Sequence, residues 1–463
     1  MSPTLILINP WITDFAAYDL WSVPLGLLSL AATLRRRGYD VHLIDCLDVH
    51  HPGMERGGKA VPPVRRAYGT GKFWRTEIRR PEPLASVSRP YSRYGISRHL
   101  FVESIESIRK PAAVLFTSLM TYWYPGLQEA VSLVRSVHPD VPILLGGIYA
   151  RLCSDHAATY SGADRIVPAR SGADLETVPG LLEEMGIPLP SRRTAEFPPY
   201  PAFDLLHRPE SISVATSTGC PYRCAYCASP FLQPSFTQRP VSSVLEEILH
   251  WRSRLSIRDV AFYDDALLIG AKEHVHPLME ALSEQAPDLR YHTPNALHIR
   301  EITASTARLL YCAGFRTIRL GLETSDTGLR KGMDRKVGEG DFERAVERLR
   351  SAGYGRREIG VYVMMGLPGQ SVESVERTLC AVERAGAVPY LAEYSPIPHT
   401  PLWQKAVRTS KWDLREPLFQ NNTLIPCWDD EKRARVPGLR TMARAVRRPR
   451  RGEGGGSLGR PRH

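Results

Sequence analysis

The chain has 463 residues, which exceeds one ordinary domain, and 43% of them are hydrophobic, enough for two cores. Its net charge of +11 is concentrated near residues 56–98 and 431–463, so the basic balance says little about the folded bodies. The apolar run at residues 5–8 is too short to span a membrane. Isolated cysteines and the lack of a signal peptide predict a reducing, cytoplasmic setting.

Residues 1–185 alternate predicted strands with predicted helices. Strands are expected at residues 5–8, 41–44, 113–116, 142–145 and 165–167, and helices at about 24–37 and 126–137. This pattern predicts a doubly wound, Rossmann-like parallel sheet with a ligand crevice beyond the carboxyl ends of its strands. The candidate residues at those ends are Asn9, Pro10, Ser118, Leu119, Thr121, Gly146 and Gly147. Taken alone, the loop with Ser118 and Leu119 and the pair Gly146-Gly147 are each equally consistent with an ordinary strand-to-helix turn.

Residues 50–100 interrupt this alternation. The segment is rich in Pro, Gly and Arg, carries scattered aromatic residues, and shows no helix or strand period. We expect a lid that lies over the domain with its charges solvated. Basic residues interleaved with aromatic ones would also suit an RNA groove, which we favour less.

Residues 186–210 are rich in proline and are expected to link two domains. A second alternation follows, with strands expected at residues 211–217, 259–264, 290–294, 316–322, 358–365 and 388–394 and helices at 241–254 and 342–351. In barrels of parallel strands, the chemistry gathers at the carboxyl ends of the strands. Residues 431–463 are Arg, Gly and Pro with little apolar content and are expected to form a basic, disordered tail.

The most informative motif is in residues 218–227, where Cys220, Cys224 and Cys227 are spaced C-x3-C-x2-C after an apolar run that ends in Gly219. Thiolates hold iron–sulfur clusters, and three of them in one tight loop leave the fourth iron of a [4Fe–4S] cluster open. An open coordination position distinguishes a catalytic metal site from a structural one. The spacing therefore predicts a catalytic cluster.

A zinc ion is the main alternative to an iron–sulfur cluster at these thiols. A tetrahedral zinc site would need a fourth Cys or His, normally in a second short pair about 12 to 20 residues away. After Cys227 the next candidates are the single His250 and the distant Cys312. Disulfides would leave one of the three cysteines unpaired, so we favour the cluster.

A C-x3-C-x2-C loop with an aromatic residue before its third cysteine resembles the signature of the radical S-adenosylmethionine superfamily. The resemblance implies a partial (β/α)6 TIM-like barrel over residues 211–425 and S-adenosylmethionine bound at the open iron. It also implies S-adenosylmethionine contacts from residues at successive strand ends: Tyr226, Asp264, Asp265, Asn295, Gly321, Glu323, Gly366, Pro368 and Gly369. Taken singly, the paired Asp residues could cap a helix and Gly-Leu-Pro-Gly could be an ordinary turn.

Residues 1–185 resemble the cobalamin-binding domain that precedes the radical domain in one branch of this superfamily. The resemblance implies that Ser118, Leu119, Gly146 and Gly147 line a pocket for the nucleotide tail of the corrin. Asp48 and His50 begin a D-x-H-x-x-G pattern like the one with which some cobalamin proteins bind cobalt. Here the pattern follows the second predicted strand rather than the first, and we interpret it as accidental. His399 stands where relatives commonly have Gly, and we expect it at the surface, with a substrate-facing position as the alternative.

The resemblance implies a cobalamin-dependent methyltransferase that acts on an unactivated carbon. One S-adenosylmethionine would methylate the cobalamin, and a second would yield the 5'-deoxyadenosyl radical. The alternatives are a cobalamin-associated rearrangement, cyclisation or RNA methylthiolation, and a non-catalytic cobalamin-binding or redox-responsive protein. Expected partners are a small-molecule or peptide substrate and an electron donor such as flavodoxin or ferredoxin; nucleic acid is less favoured and a membrane is not expected. No motif in the sequence indicates a general base or a nucleophile.

Overall fold

The computed structural model describes residues 2–56, 62–167, 172–191, 197–333 and 336–448. Within these residues, every helix is too short or too polar to cross a lipid bilayer. The strands are β1 (Thr4–Asn9), β2 (Ile12–Asp14), β3 (Asp40–Asp45), β4 (Arg75–Ile78), β5 (Tyr91–Tyr94), β6 (Ala113–Phe116), β7 (Ile143–Leu145), β8 (Arg165–Ile166), β9 (Ser211–Val214), β10 (Ser217–Thr218), β11 (Thr237–Gln238), β12 (Asp259–Phe262), β13 (Arg290–His292), β14 (Phe315–Glu323), β15 (Ile359–Met365) and β16 (Val388–Glu393).

The helices surround these strands and connect most of them. They are α1 (Leu25–Arg36), α2 (Pro52–Arg56), α3 (Arg98–Ser107), α4 (Tyr124–Val137), α5 (Ile148–Leu152), α6 (Ser154–Tyr160), α7 (Val178–Glu184), α8 (Ser229–Leu232), α9 (Val241–Arg254), α10 (Val275–Gln285), α11 (Ala304–Ala313), α12 (Thr327–Met333), α13 (Asp341–Ser351), α14 (Val372–Arg384), α15 (Trp403–Thr409) and α16 (Asp430–Arg447).

Five parallel strands form the first sheet, in the order β3-β1-β6-β7-β8. Side chains of β1 alternate between two apolar cores, because Leu5 and Leu7 pack with α1 while Ile6 and Ile8 pack with α4. A parallel sheet covered on both faces by helices requires apolar residues at consecutive positions. The predicted Rossmann-like, doubly wound sheet is confirmed.

Residues 50–100 contain regular structure, so the prediction of a segment without helices or strands is wrong. β5 is the central strand of a small antiparallel sheet and pairs with β2 on one side and with β4 on the other, in the order β2-β5-β4; α3 follows. The strand period was hidden because β4 is largely exposed, β5 is buried at every position, and β2, the second partner of β5, lies far earlier in the chain. Four aromatic rings of the segment are buried, namely Phe73, Trp74, Tyr91 and Tyr94. Rings that face inward cannot stack on RNA bases, which weakens the RNA-groove alternative.

Six parallel strands form the second large sheet, in the order β9-β12-β13-β14-β15-β16. Among the described strands, the two edge strands β9 and β16 do not pair with each other, so the sheet is an open arc rather than a closed barrel. Alternate residues of β15, such as Ile359, Val361 and Val363, point outward into the core beneath the helices. The arrangement confirms the predicted partial (β/α)6 barrel.

The amino end of this barrel is filled by the first part of the chain. The rings of Trp21 and Tyr68 lie against His292, with centroids 4.3 and 4.9 Å away. Asp259 in turn pairs with His292 at 2.8 Å and with Arg290 at 2.5 Å. Because this end is packed with side chains, ligands must reach the barrel from its carboxyl end.

The expected linker, residues 186–210, packs between the two sheets over its described part, and residues 192–196 lie outside the described residues. Phe203 is fully buried and meets Trp251 edge-on at 5.7 Å. The Ala202 N–H donates to the Leu28 carbonyl of α1 at 3.1 Å. The linker therefore joins the cores of the two bodies.

Residues 430–447 form α16, so the prediction of a disordered tail is wrong for this part of the chain; residues 449–463 lie outside the described residues. Asp429 caps the helix by accepting the Lys432 N–H at 2.9 Å. The many arginines obscured an apolar stripe that packs on α14 and β16, formed by Val436, Leu439, Ala443 and Val446.

We expect Gly147→Ala to lower the free energy of unfolding by about 2 kcal/mol or more, because its backbone conformation is nearly exclusive to glycine. Gly147 has φ +93° and ψ −167°, and a Cβ there would lie 2.3 Å from the Ser118 carbonyl oxygen. Gly146→Ala is the matched control, since its nearest contact would be an ordinary 3.6 Å. Urea unfolding followed by tryptophan fluorescence measures both; equal losses would contradict this account.

Candidate active site

The cysteine loop, residues 219–227, leaves the barrel after β10 and ends before α8. Gly219 has φ +73°, and a Cβ there would lie 2.4 Å from a backbone carbonyl oxygen, so glycine is required. Ala225 donates its N–H to the Met333 carbonyl at 2.7 Å, and its own carbonyl accepts the Leu402 N–H at 2.9 Å. The loop is thus fixed to the segments that follow β14 and β16.

Two of the three thiols of this loop have hydrogen-bonding groups beside them. The Ser229 N–H donates to Cys227 Sγ at 3.4 Å, and the His298 Nε2 lies 3.9 Å from Cys220 Sγ. Cys224 is buried, and burial raises the pKa of the Cys220 thiol above its usual range. Donors around sulfur and partial exclusion of water are what metal-bound thiolates require.

The chemistry of the three thiols fits an iron–sulfur cluster. Cys220, Cys224 and Cys227 stand in one loop that is fixed by the positive φ of Gly219 and by the backbone hydrogen bonds of Ala225. In a four-iron cluster each thiolate binds a different iron, so three thiolates leave one iron open. Among the described residues, no group of three His, Cys, Asp or Glu side chains is placed to hold a single metal ion.

Tyr226, Glu323 and Lys336 form a hydrogen-bonded group at the carboxyl end of β14. Lys336 Nζ donates to Tyr226 Oη at 2.7 Å and to Glu323 Oε1 at 3.0 Å, and Tyr226 Oη donates to the same oxygen at 3.3 Å. Lys336 and Glu323 are both buried, and their pairing offsets part of the cost of burying each charge. A Cβ at Gly321 would lie 3.1 Å from Oε1 and 3.3 Å from Nζ, so glycine leaves room for the pair.

Sequence reasoning found Tyr226 and Glu323 of this group, and Gly321 beside it, but missed Lys336. Tyr226 was marked by the cysteine spacing, and Gly321 and Glu323 by their place at a strand end. Lys336 stands in a polar run after α12 and matches no motif. Only the folded chain shows that its ammonium group is buried beside the cysteine loop.

Asp264 and Asn295 hold the strand ends together. Both carboxylate oxygens of Asp264 accept hydrogen bonds, from the N–H groups and hydroxyls of Thr216 and Ser217, at 2.6 to 3.1 Å. Asn295 Nδ2 donates to the carbonyls of Tyr263 and Asp264 at 2.9 and 3.3 Å. The two side chains therefore fix the bend between β9 and β10 against β12.

Asp265, by contrast, is exposed next to the cysteine loop. Its Oδ2 accepts the Ser229 hydroxyl at 2.6 Å, and that hydroxyl lies 3.3 Å from Cys227 Sγ. The paired acids predicted from the sequence thus differ in position. Asp265 lies beside the cysteine loop, whereas Asp264 is buried at the strand bend.

The turn after β15, residues 366–369, is braced by Gln370. Gln370 Oε1 accepts the N–H groups of Gly366 and Leu367 at 3.0 and 3.2 Å. Leu367 packs in one apolar cluster with Tyr226, so this turn lies against the cysteine loop. The other members of the turn are Pro368 and Gly369, which has φ +83°.

The carboxyl edge of the first sheet carries an exposed apolar surface. Ser118 Oγ donates to the Gly146 carbonyl at 2.7 Å and so joins the loops after β6 and β7. Leu119, Met120 and Ile148 are 39%, 47% and 36% exposed on these loops, and we call them the apolar shelf. A patch of large exposed apolar side chains marks a surface that binds a ligand or a partner.

A narrow cavity of about 20 Å³ lies beside the shelf, lined by residues that include Asn9, Pro10, Ser118 and Leu119. Asn9 is buried and its Nδ2 donates to Asp45 Oδ1 at 2.7 Å, which ties β1 to β3. The structure thus brings Asn9, Pro10, Ser118, Leu119, Gly146 and Gly147 together at this edge, although the Asn9 side chain is already engaged within the sheet. Thr121 is buried instead, and its hydroxyl donates to Gln420.

Arg151 of α5 connects the apolar shelf to the cysteine loop. Its Nη1 and Nη2 donate to the carbonyls of Leu232 and Phe231 at 2.7 and 3.2 Å, just beyond that loop. The Phe231 ring stacks on His399 at 4.0 Å, and His399 Nε2 lies 3.2 Å from the Leu152 carbonyl. His399 is exposed, as the sequence predicted, and the stack stands where the two bodies meet.

A buried polar group joins residues 414–424 to the first body. Thr121 Oγ1 donates to Gln420 Oε1 at 2.5 Å, and Asn421 Nδ2 donates to Asp14 Oδ1 at 2.9 Å. Gln420 and Asn421 are each 1% exposed. We call these four residues the polar latch. The sequence could not show it, because its partners lie hundreds of residues apart.

His50 lies away from the shelf. With His51 and His207 it lines a cleft of about 510 Å³ that runs along the edge strand β3. The described residues that line this cleft include neither Ser118 nor Gly146. This placement agrees with our interpretation that the D-x-H-x-x-G match is accidental.

Comparison with known proteins identifies the barrel. Residues 214–380 match the Radical SAM superfamily. An uncharacterised methyltransferase of Pyrococcus horikoshii is 21% identical over 68% of this chain and 74% of its own length. The hopanoid C-2 methylase of Rhodopseudomonas palustris is 24% identical over 70% of this chain and 66% of its own length.

Among solved structures, the chain is similar to the radical S-adenosylmethionine methyltransferase TsrM from Kitasatospora setae with cobalamin and a [4Fe–4S] cluster bound. The TM-score is 0.66 at 18% identity, and the match covers 97% of this chain and 92% of that one. At this identity the likeness establishes a shared two-domain fold.

We expect Thr121→Val and Gln420→Leu each to lower the free energy of unfolding by about 1–3 kcal/mol, because each leaves a buried polar partner unsatisfied. The double variant should lose less than the sum, with a coupling of about 1 kcal/mol. Urea unfolding measures all three. Gln128→Leu, which removes an exposed hydrogen bond to Tyr160, is the control. Strictly additive losses would contradict a direct contact across the latch.

Proposed function

We propose that this chain, whose residues 214–380 form a radical S-adenosylmethionine domain, is a cobalamin-dependent methyltransferase that acts on an unactivated carbon. The observation that carries the proposal is the contact of Arg151 with Phe231 and Leu232, which sets the apolar shelf next to the cysteine loop. In this proposal residues 1–185 bind cobalamin and residues 211–425 bind the cluster and S-adenosylmethionine.

Cys220, Cys224 and Cys227 would hold the [4Fe–4S] cluster. When bound, the cluster and cobalamin supply the electron that cleaves the sulfonium of S-adenosylmethionine and the methyl group that is transferred. The chain's part is to fix the loop, through the positive φ of Gly219 and the two backbone hydrogen bonds of Ala225. A rigid loop keeps the three sulfurs in place when the cluster changes charge.

Tyr226, Glu323 and Lys336 would hold the nucleoside part of S-adenosylmethionine. Lys336 and Tyr226 both donate to Glu323 Oε1, so Oε2 remains an acceptor for the ribose hydroxyls. The ring of Tyr226 and the side chain of Leu367 supply apolar surface for the adenine. Asp265 is a better candidate than Asp264 for the amino group, since both oxygens of Asp264 hold the strand bend.

The apolar shelf would carry the corrin of cobalamin. A flat macrocycle covers large exposed apolar side chains, and Leu119, Met120 and Ile148 stand at the crevice of a doubly wound sheet, where such folds bind ligands. Gly146 and Gly147 leave room for close approach of a nucleotide tail. The exposed stack of Phe231 and His399 borders the same space.

The substrate would be a small molecule or a peptide, and a flavodoxin or ferredoxin would supply the electron. The inward-facing aromatic rings of residues 50–100, such as Trp74 and Tyr91, argue against an RNA substrate held by that segment. The described chain excludes bulk water from the amino end of the barrel, where Trp21 and Tyr68 pack on His292. Reactive species formed at the carboxyl end are protected on that side.

We expect the anaerobically reconstituted protein, given reductant and S-adenosylmethionine, to form 5'-deoxyadenosine, and to form S-adenosylhomocysteine only when cobalamin is added. Mass spectrometry of the products measures both. Formation of 5'-deoxyadenosine alone would contradict methyl transfer and favour a rearrangement or cyclisation. Formation of neither product by protein with a full cluster would favour a non-catalytic binder.

A pair of cysteine variants controls this experiment. Cys224→Ala removes a proposed cluster ligand and should abolish 5'-deoxyadenosine formation while the cobalamin absorption spectrum is kept. Cys312→Ala changes an exposed thiol on α11, far along the chain from the loop, and should behave as the wild type. Turnover that survives in Cys224→Ala would contradict the cluster assignment.

A further inference from the structure

His298 is a buried side chain beside the cysteine loop to which the proposed function gives no role. It follows β13 and is 7% exposed. Its Nε2 lies 3.9 Å from Cys220 Sγ, within hydrogen-bonding distance for a sulfur acceptor. Its Nδ1 is buried and has no hydrogen-bond partner among the described residues. Among the described residues, the polar contact of the imidazole is therefore with the first cysteine of the motif.

The ring of His298 is held in this position from several sides. Tyr222 of the cysteine loop stacks on it, with centroids 4.6 Å apart and an angle of 30° between the planes. On the backbone side, Leu297 donates its N–H to the Arg319 carbonyl at 2.7 Å, and Ile299 is buried in the barrel core. The backbone that carries His298 is therefore fixed, and the stacked Tyr222 ring supports the imidazole beside Cys220.

The surroundings also decide which ring nitrogen carries the proton. A neutral imidazole has one N–H, and a proton on Nδ1 would be a buried donor with no acceptor. Buried N–H groups without a partner are rare in proteins, more so than buried acceptors without one. The proton therefore belongs on Nε2, where it points toward Cys220 Sγ.

We infer that His298 is a positioning residue that donates a hydrogen bond from Nε2 to the cluster thiolate of Cys220 and raises the reduction potential of the cluster. The inference rests on the proposed function. Reduction adds one electron from an external donor and increases the negative charge on the sulfurs. An N–H donor stabilises that charge, so the reduced cluster gains more than the oxidised one. His298 keeps its proton throughout and exchanges none with the substrate.

Two substitutions separate the hydrogen bond from packing. His298→Leu fills similar space without a donor, whereas His298→Gln retains an N–H donor at comparable reach. His276→Leu is the control, because His276 on α10 is a half-buried imidazole whose hydrogen bond goes to Thr306, away from the loop. Each protein is reconstituted anaerobically, and its iron and sulfide contents are counted before any other measurement.

The midpoint potential of the cluster is then measured by redox titration followed by electron paramagnetic resonance. We expect a more negative midpoint in His298→Leu, a midpoint near that of the wild type in His298→Gln, and no change in His276→Leu. A purely structural role would shift His298→Gln and His298→Leu alike or neither. An unchanged midpoint in His298→Leu would overturn the inference while leaving the proposed function intact.

A second measurement uses the unsubstituted protein, so it tests the inference also in the case where His298→Leu does not retain a cluster. Protein labelled with 15N-histidine and reduced should show a weak hyperfine coupling between the cluster spin and one nitrogen. Absence of that coupling would overturn the inference. If the unsubstituted protein assembles no four-iron cluster at all, the proposed function fails first, and the iron count reports this separately.

Discussion

The arrangement of this protein depends on one constraint: the carboxyl edges of two parallel sheets must face each other. Each sheet places its loops at that edge, because its strands run parallel and are connected by helices. Arg151 joins the edges by donating to the carbonyls of Phe231 and Leu232. This contact sets the exposed apolar shelf beside the cysteine loop.

Polar and apolar side chains have different roles where the two bodies of the protein meet. The polar latch is fully buried, so its hydrogen bonds fix the position of residues 414–424 against the first body. The apolar shelf is exposed, so covering it with a ligand would remove apolar surface from water and would stabilise the complex. Buried hydrogen bonds thus fix the two bodies against each other, while the side chains of the apolar shelf stay available to a ligand.

Much of this could be predicted from the sequence, because the decisive signals are local. Residues 5–8 and 113–116 are short apolar runs typical of strands buried on both faces, and the spacing of three cysteines defines its own loop. Lys336 and Gln420 could not be predicted, since their partners are distant in the chain and neither stands in a motif.

Two elements were hidden for a different reason. The strand Arg75–Ile78 is mostly exposed and its partner strand is buried on both sides, so neither strand shows an alternating pattern. The helix Asp430–Arg447 buries one apolar stripe among many arginines.

The central claim is that an iron centre and a cobalt centre are bound at the facing edges of the two sheets. Anomalous diffraction at the X-ray absorption edges of iron and cobalt, from crystals of protein reconstituted with cobalamin, tests this claim most directly. We predict iron at Cys220, Cys224 and Cys227 and cobalt between the shelf and the cysteine loop. A single metal ion at the cysteines, or cobalt in the cleft beside His50, would contradict it.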